Sequence, residues 1–453
     1  MERLPGAPLD MIFSKLKQDD FANMRACCKT MMHTANSYAH TMTLDARHAL
    51  DLIGSDLMRD MDSLRILEIS FHDDDNMLNV MQLILTHRKA FNRATTVSLT
   101  NNSDSQLKVV VFINMLSCAM PEINHLTLFG DFDLAHQECM HALNRFHKLK
   151  SLTIDNEFRR TTIPVDWICN FTELQLRCMI VAVSVFRPDW ATDKLVISEC
   201  DFDMGVFPWF NVRDLRIVRS NAPQLVSDCF NVGYHEYFSR QVVRSIHLEN
   251  SPDFLQYMLS FPQSFKGLRV LTLHNDIQDS DDDNDSDNDD NDNDNDKVMF
   301  LDPIWPILAS TLTELTLSSE FGYNNHSGPN SLQALSNLVA FTWHLPLRKV
   351  TDPGFLPDVL SGMTSLQRLN LVVVTMIDFK DNYQQYDVND DLLHAGHAME
   401  HLTSEQLDFP TIIVAACRKL KHFKHLTLKI HPYFPFDFDD TFDDVVVVHD
   451  GPV

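Results

Sequence analysis

LKSLTI, residues Leu149 to Ile154, spaces its apolar side chains as apolar-x-x-apolar-x-apolar, and LRVLTL, residues Leu268 to Leu273, repeats that spacing. In an extended chain alternate side chains share a face, so Leu152 and Ile154 point together while Thr153 points the other way. Working outward from these two stretches, the same beat occurs thirteen times. It is carried by Leu64/Leu67/Ile69, Ala94/Val97/Leu99, Ile123/Leu126/Leu128, Leu149/Leu152/Ile154, Phe171/Leu174/Leu176 and Thr192/Leu195/Ile197. It continues through Val212/Leu215/Ile217, Val243/Ile246/Leu248, Leu268/Leu271/Leu273, Leu312/Leu315/Leu317, Leu338/Phe341/Trp343, Leu366/Leu369/Leu371 and Phe423/Leu426/Leu428. The central residues lie 20 to 31 positions apart, except for one interval of 44 and one of 57. That is room for one strand and one return segment per beat.

No single strand of this length can bury its apolar face alone. Stacked neighbours make the core continuous, and each buried Leu or Ile contributes roughly 1.5–3 kcal/mol. The stretches between beats read as helices: Ser251 and Pro252 suit an N-cap and first helical position ahead of Phe254, Met258 and Leu259. Asp133 suits a cap for Leu134, Met140 and Leu143, and Leu78, Met81 and Leu85 mark another stripe. Strand and helix in alternation predict an α/β fold with a parallel sheet.

The pattern resembles leucine-rich repeats, which implies a solenoid curved into a horseshoe with a parallel concave sheet. It departs from that family three positions after each beat, where an Asn or Cys is usual. Only Asn102 and Cys200 fit; His72, Asp131, Glu157 and Val374 stand at corresponding places. Irregular spacing and a degenerate ladder resemble the repeats of F-box receptors.

Ahead of the repeats, Leu9, Ile12, Phe13 and Leu16 recur at i, i+3, i+4 and i+7, and Phe21, Met24 and Cys28 form a second helical stripe. A module of about forty residues is marginal without a partner, so an apolar face here is an interaction site or a cap on the first repeat. Residues 4–32, LPGAPLDMIFSKLKQDDFANMRACCKTMM, resemble an F-box in Leu4 and Pro5, in Ile12, Phe13 and Leu16, in Asp19 and Asp20, and in Cys28 and Lys29. Ala7 stands where that family usually has Glu, Pro8 where the first helix would begin, and Met31 where Trp is usual. The resemblance implies docking on a Skp-type adaptor through Leu4, Pro5, Leu9, Ile12, Phe13, Leu16, Phe21, Met24, Cys28 and Met31, and through the adaptor to a cullin. The repeats would then present an unknown protein substrate for ubiquitin transfer. The expected organisation is an F-box-like module at 1–40, a connecting helix or cap at 41–62, a solenoid at 63–436 and an acidic tail at 437–453.

Composition narrows the classes. Nine scattered cysteines without a C-x-x-C indicate neither a disulfide framework nor a thiolate zinc site. No basic start precedes an apolar stretch, and the longest apolar runs fall far short of the roughly 20 residues that cross a bilayer. The expectation is a soluble cytoplasmic and/or nuclear protein, with no membrane and no cofactor. Of the net charge of −26, eleven charges come from the aspartates of Asp279–Asp296, a run whose composition predicts a disordered acidic insertion. It lacks the Gly and Glu of a calcium loop. The acidic balance argues against a nucleic-acid partner, whose binding draws on clustered Lys and Arg.

His394, His397 and His401 with Glu400 share a helical face in HAGHAMEH and suit a zinc site, which would make the chain a metal-dependent hydrolase. Inside the long interval between the last two beats, near Asp387–Asp391, the segment reads instead as a polar surface helix or loop. No P-loop, G-x-G-x-x-G, G-x-S-x-G or H-E-x-x-H occurs. The expectation is a chain that binds and does no chemistry. Its binding face is the outward residue of each beat: Glu68, Ser98, Thr127, Thr153, Gln175, Val196, Arg216, His247, Thr272, Thr316, Thr342, Asn370 and Thr427. On it Arg177, Lys194 and Arg216 suggest a basic spot for an acidic or phosphorylated peptide, with plain charge balance as the alternative.

Overall fold

The computed structural model describes residues 40–55, 58, 61, 64–103, 106–134, 137–156, 161–164, 171–182, 192–203, 212–220, 243–260, 262–274, 301, 303–318, 331–346, 355–374, 409–430 and 445–449. The F-box-like residues, the acidic run 279–296 and the histidines at 394, 397 and 401 lie outside them. The chain divides into two units, Met1–Val212 with Ser220–Asp228, and Arg213–Arg219 with Cys229–Val453.

The described strands of the first unit are β1 (Thr41–Asp45), β2 (Ile66–Phe71), β3 (Thr96–Asn101), β4 (His125–Phe129), β5 (Ser151–Asp155), β6 (Thr161–Pro164), β7 (Glu173–Arg177), β8 (Met179–Ala182), β9 (Thr192–Ser198) and β10 (Asp201–Asp203). β1 to β5, β7 and β9 pair in that order, all parallel, with Leu67 beside Val97, Leu126, Leu152, Leu174 and Leu195 along one row. In the second unit β11 (Val212–Val218), β12 (Ser245–Glu249), β13 (Val270–His274), β14 (Glu314–Leu317), β15 (Ala340–Pro346), β16 (Arg368–Val374), β17 (His425–Ile430) and β18 (Val445–His449) pair likewise.

All thirteen beats are strands of these parallel sheets. Every residue of every beat is buried except Phe423, which is half-buried. The architecture is therefore a stack of parallel strand-and-return units, broadly compatible with leucine-rich repeats. Aromatic residues fill the larger gaps behind the strands, with Phe71 edge-on to Phe112 at 5.2 Å and Phe341 beside Trp343 at 5.3 Å.

The return segments correct several expectations. Helices do follow the longer intervals: α1 (Ala49–Ile53), α2 (Asp74–Thr86), α3 (Arg88–Phe91), α4 (Val110–Ala119), α5 (Gln137–Leu143), α6 (Pro252–Ser260), α7 (Trp305–Leu308), α8 (Phe355–Gly362) and α9 (Phe409–Arg418). α6 starts at Pro252 as expected. α5 is described from Gln137, and residues 135 and 136, which separate it from Asp133 and Leu134, lie outside the described residues. After β5, β7 and β9, however, the described part of the return is a short strand, and β10, β8 and β6 form a second parallel sheet. The beats there are only 20 to 22 residues apart, at the short end of the range for one strand and one return segment.

The sheet also begins before the first beat. Residues 41–45, at the start of the segment expected as a connecting helix or cap, are β1, with Met42 and Leu44 buried and paired to Leu67 and Ile69. Two apolar residues in five are too few to separate a strand from a helix by period. Likewise β18 occupies part of the expected acidic tail.

On α2 the buried residues are Met77, Val80, Leu83 and Ile84. Leu78 and Leu85, read from sequence as the apolar stripe, are exposed. Asp73 caps this helix, its side chain accepting from the Asn76 N–H at 2.7 Å.

A polar ladder does exist, and of the two residues expected in it Cys200 belongs while Asn102 does not. Asn102 is exposed, whereas its neighbour Asn101 is buried and its Nδ2 donates to the Asp131 carbonyl at 2.6 Å. Asp131, Asn156, Cys200, Ser220 and Ser251 are buried at equivalent strand ends. The Cys200 N–H donates to Ser220 Oγ at 3.1 Å, and Cys200 Sγ donates to the Ser198 carbonyl at 3.2 Å. Small polar side chains thus satisfy backbone groups that would otherwise be buried unpaired.

One position earlier the backbone turns left-handed in repeat after repeat. Gly130, Cys178, Glu199, Arg219 and Asn250 each stand two residues past a beat with φ between 45° and 97°. That twist aims the amide at the next strand end: Gly130 donates to the Asp155 carbonyl, Cys178 to Ser198, Arg219 to Glu249 and Asn250 to His274, at 2.8 to 3.0 Å.

Candidate protein-binding face

The register turns the outward residues of the beats into columns. In the first unit Thr43, Glu68, Ser98, Thr127, Thr153, Gln175 and Val196 follow one another across the sheet. In the second, Arg216, His247, Thr272, Thr316, Thr342, Asn370 and Thr427 do the same. Of the expected column, Glu68 and Arg216 are exposed and the others half-buried, as side chains standing upright on an open sheet should be. Neighbouring strands are about 4.8 Å apart, so each face presents one side chain per strand at nearly constant spacing.

Of the three basic residues, the two in the first unit, Arg177 and Lys194, do not share one spot. Within the first unit Lys194 pairs in register with Glu173 and Arg177 with Ser198. They stand at opposite ends of their strands, separated along the strand by roughly 13 Å. Arg216 belongs to the second unit.

Each is also matched by acid. Arg177 lies between Asp155 at 3.3 Å and Glu199 at 3.4 Å, and these carboxylates, Asp155 foremost, hold its guanidinium above the ordinary value. Lys194 reaches Glu173 at 2.5 Å, and that hydrogen bond draws the Glu173 carboxyl below the usual range. Arg216 reaches Glu249 at 3.4 Å. All four pairs are partly exposed and contribute about 0–1 kcal/mol each.

The residues that sequence reading missed lie one place beyond a beat or, for Glu199, two. Asp155, Glu199, Glu249, His274 and His344 were passed over because only the middle of each beat was taken as outward. Glu249 links β11 and β12, accepting from Arg216 and meeting His247 Nε2 at 3.3 Å. Burial keeps the His247 imidazole below its ordinary value despite Glu249, with Arg216 and His274 adding to the lowering. His274 and His344 meet edge to face at 6.1 Å. The column position one past the beat was readable from the period of two; which charges meet there needed the register.

Burial dominates the thiols of Cys139, Cys178, Cys200 and Cys417. It pushes Cys139, Cys200 and Cys417 up to about 12 and Cys178 up to about 11, so these are structural groups rather than nucleophiles. Among the described residues no group of three His, Cys, Asp or Glu is placed to hold a metal ion, and no helix is long and apolar enough to cross a membrane.

No protein-family model matches the chain, and no curated protein matches it. Among solved structures it is similar to the leucine-rich repeat-containing protein LegL7 from Legionella pneumophila, at 12% identity and a TM-score of 0.25, over 89% of this chain and 98% of that one.

Proposed function

We propose that the chain is a protein-binding scaffold of the leucine-rich-repeat kind, holding its ligand on the open face of the parallel strands. The observation that carries this is the division of labour within each beat. Inward residues are sealed in the core while the outward one is aligned with its neighbours in register. Such a face can change its side chains strand by strand without disturbing the core. Hydroxyls, amides and compensated ion pairs suit a polar protein surface better than a small apolar ligand.

A finer reading makes the scaffold the substrate-recognition subunit of a Skp-cullin-F-box ubiquitin ligase. Its support is the sequence of residues 4–32, placed directly ahead of the strands. In that role the chain would raise the effective concentration of its target beside the ligase.

One capture experiment addresses both. The tagged full-length chain is isolated from cells with and without proteasome inhibition, beside a face variant, Thr127→Arg with Thr153→Arg, and an N-terminal variant, Ile12→Asp with Phe13→Asp. Proteins held by the wild type and lost from the folded face variant support the scaffold, and an unchanged set of captured proteins refutes it. Recovery of a Skp-type adaptor that the N-terminal variant loses supports the ligase reading; its absence from the wild type removes it.

A further inference from the structure

One rim of the second unit is basic in a chain that is strongly acidic. The second residue of each beat is tied to its counterpart in the strand before by a backbone hydrogen bond of 2.7 to 2.9 Å, so that Arg213, Arg244 and Arg269 are followed by Thr313, Val339, Gln367 and then Lys424, from β11 to β17. No carboxylate stands in this row. Its four cations are exposed, and the three neutral residues between them are half-buried. Lys266 and Lys421 extend the two charged ends from equivalent turns, each exposed and three residues ahead of a member of the row.

Charge balance accounts for Arg177, Lys194 and Arg216, each of which meets a carboxylate. It does not account for the rim. Among the described residues Arg244, Lys266, Arg269, Lys421 and Lys424 form no ion pair. The carboxylates one place further along these strands are Asp214 and Glu314, and Glu314 is held by Arg368 at 3.7 Å. Like charges on adjacent strands repel, and this chain has 63 acidic residues against 37 basic ones from which to relieve them. Three arginines side by side are therefore an unbalanced charge that a ligand of opposite sign would complete.

We propose that this rim binds an extended acidic segment of a partner protein, laid across the strands from β11 to β17. The length fits: six strand spacings of about 4.8 Å make about 29 Å, which an extended chain covers in about nine residues at about 3.3 Å each. The distribution of charge chooses between polyanions. Cations stand at both ends of the row and neutral side chains in its middle, which matches a segment with carboxylates at its two ends. A polynucleotide is charged evenly along its length and would leave its central phosphates unmatched. Arginine at one end suits carboxylates in particular, because its fork takes both oxygens. The rim is separate from the open face of the strands, so either site can fail without the other.

Fluorescence anisotropy of the full chain tests this, with a labelled peptide of about nine residues that carries glutamates at both ends and serines in its middle. The wild type should bind it, less tightly as salt is raised. Arg244→Glu with Arg269→Glu should weaken binding by about tenfold or more, and Lys421→Glu with Lys424→Glu should do so independently from the other end. These positions are exposed, so the melting temperature should hold, and Arg244→Lys with Arg269→Lys should retain most of the affinity. Equal affinity in the wild type and both charge-reversed variants overturns the proposal. So does an oligouridylate of matching charge that binds the wild type as tightly, because the rim would then read charge alone. A tenfold gain in affinity on deleting Asp279–Asp296 also overturns it, since the chain's own aspartates would then be the occupant.

Discussion

Gly130 packs against Asn101 so closely that a Cβ on the glycine would stand 2.5 Å from the Asn101 carbonyl oxygen. The glycine also has φ at +97°, a region that side chains rarely adopt. This is one strand end resting on another, at the point where the Asn101 amide reaches the Asp131 carbonyl. Gly130→Ala should therefore destabilise the first unit by about 1–3 kcal/mol from the overlap alone, read as a lower denaturant midpoint. An unchanged midpoint would mean that the two strand ends can separate freely.

Arg219 occupies the equivalent left-handed position in the second unit, with its side chain exposed. Here only backbone strain is at stake. Arg219→Val should cost about 1–2 kcal/mol, while Arg219→Gly should stay within about 1 kcal/mol of the wild type, since relief of strain offsets the added freedom of the unfolded chain. If thermal melts show the two variants to be equivalent, the recurrent twist carries no strain.

The inward and outward residues of a beat should differ sharply. Leu152 and Leu271 are fully buried, so replacing either with Ala should cost about 2–5 kcal/mol. Thr153→Ala or Thr272→Ala on the open face should stay within about 0.5 kcal/mol. Similar urea midpoints for the two classes would contradict the assignment of faces.

His247 should lower stability as the solution is acidified. Its folded-state value is depressed, chiefly by burial. The unfolded chain therefore takes up its proton first. The stability associated with neutral His247 is complete above the unfolded value of about 6.5 and is lost as pH falls from there through the folded value. His247→Gln should flatten that part of the pH dependence, and the His247 ring signals should titrate below the free imidazole range. A midpoint above it would place the attraction of Glu249 ahead of burial.

How much of this was legible from residues alone depends on the range of the contacts involved. The period of two within LKSLTI or LRVLTL is a local property, so the sequence by itself determined all thirteen beats as strands and sorted their inward residues from their outward ones. The run Met42-Thr43-Leu44 was too short for that test. Leu78 and Met77 begin equally plausible stripes on α2, and only packing against the sheet chose Met77, Val80, Leu83 and Ile84 for the core.

Tertiary structure alone decided what lies between neighbouring repeats. It placed strands in the returns after β5, β7 and β9, moved the polar ladder from Asn102 to Asn101, and gave Arg177, Lys194 and Arg216 carboxylate partners 21 to 33 residues away in the chain. Those outcomes depend on which residue of one turn lies beside which residue of the next. That register is a property of the stacked sheet, not of any window of the chain short enough to read as a pattern.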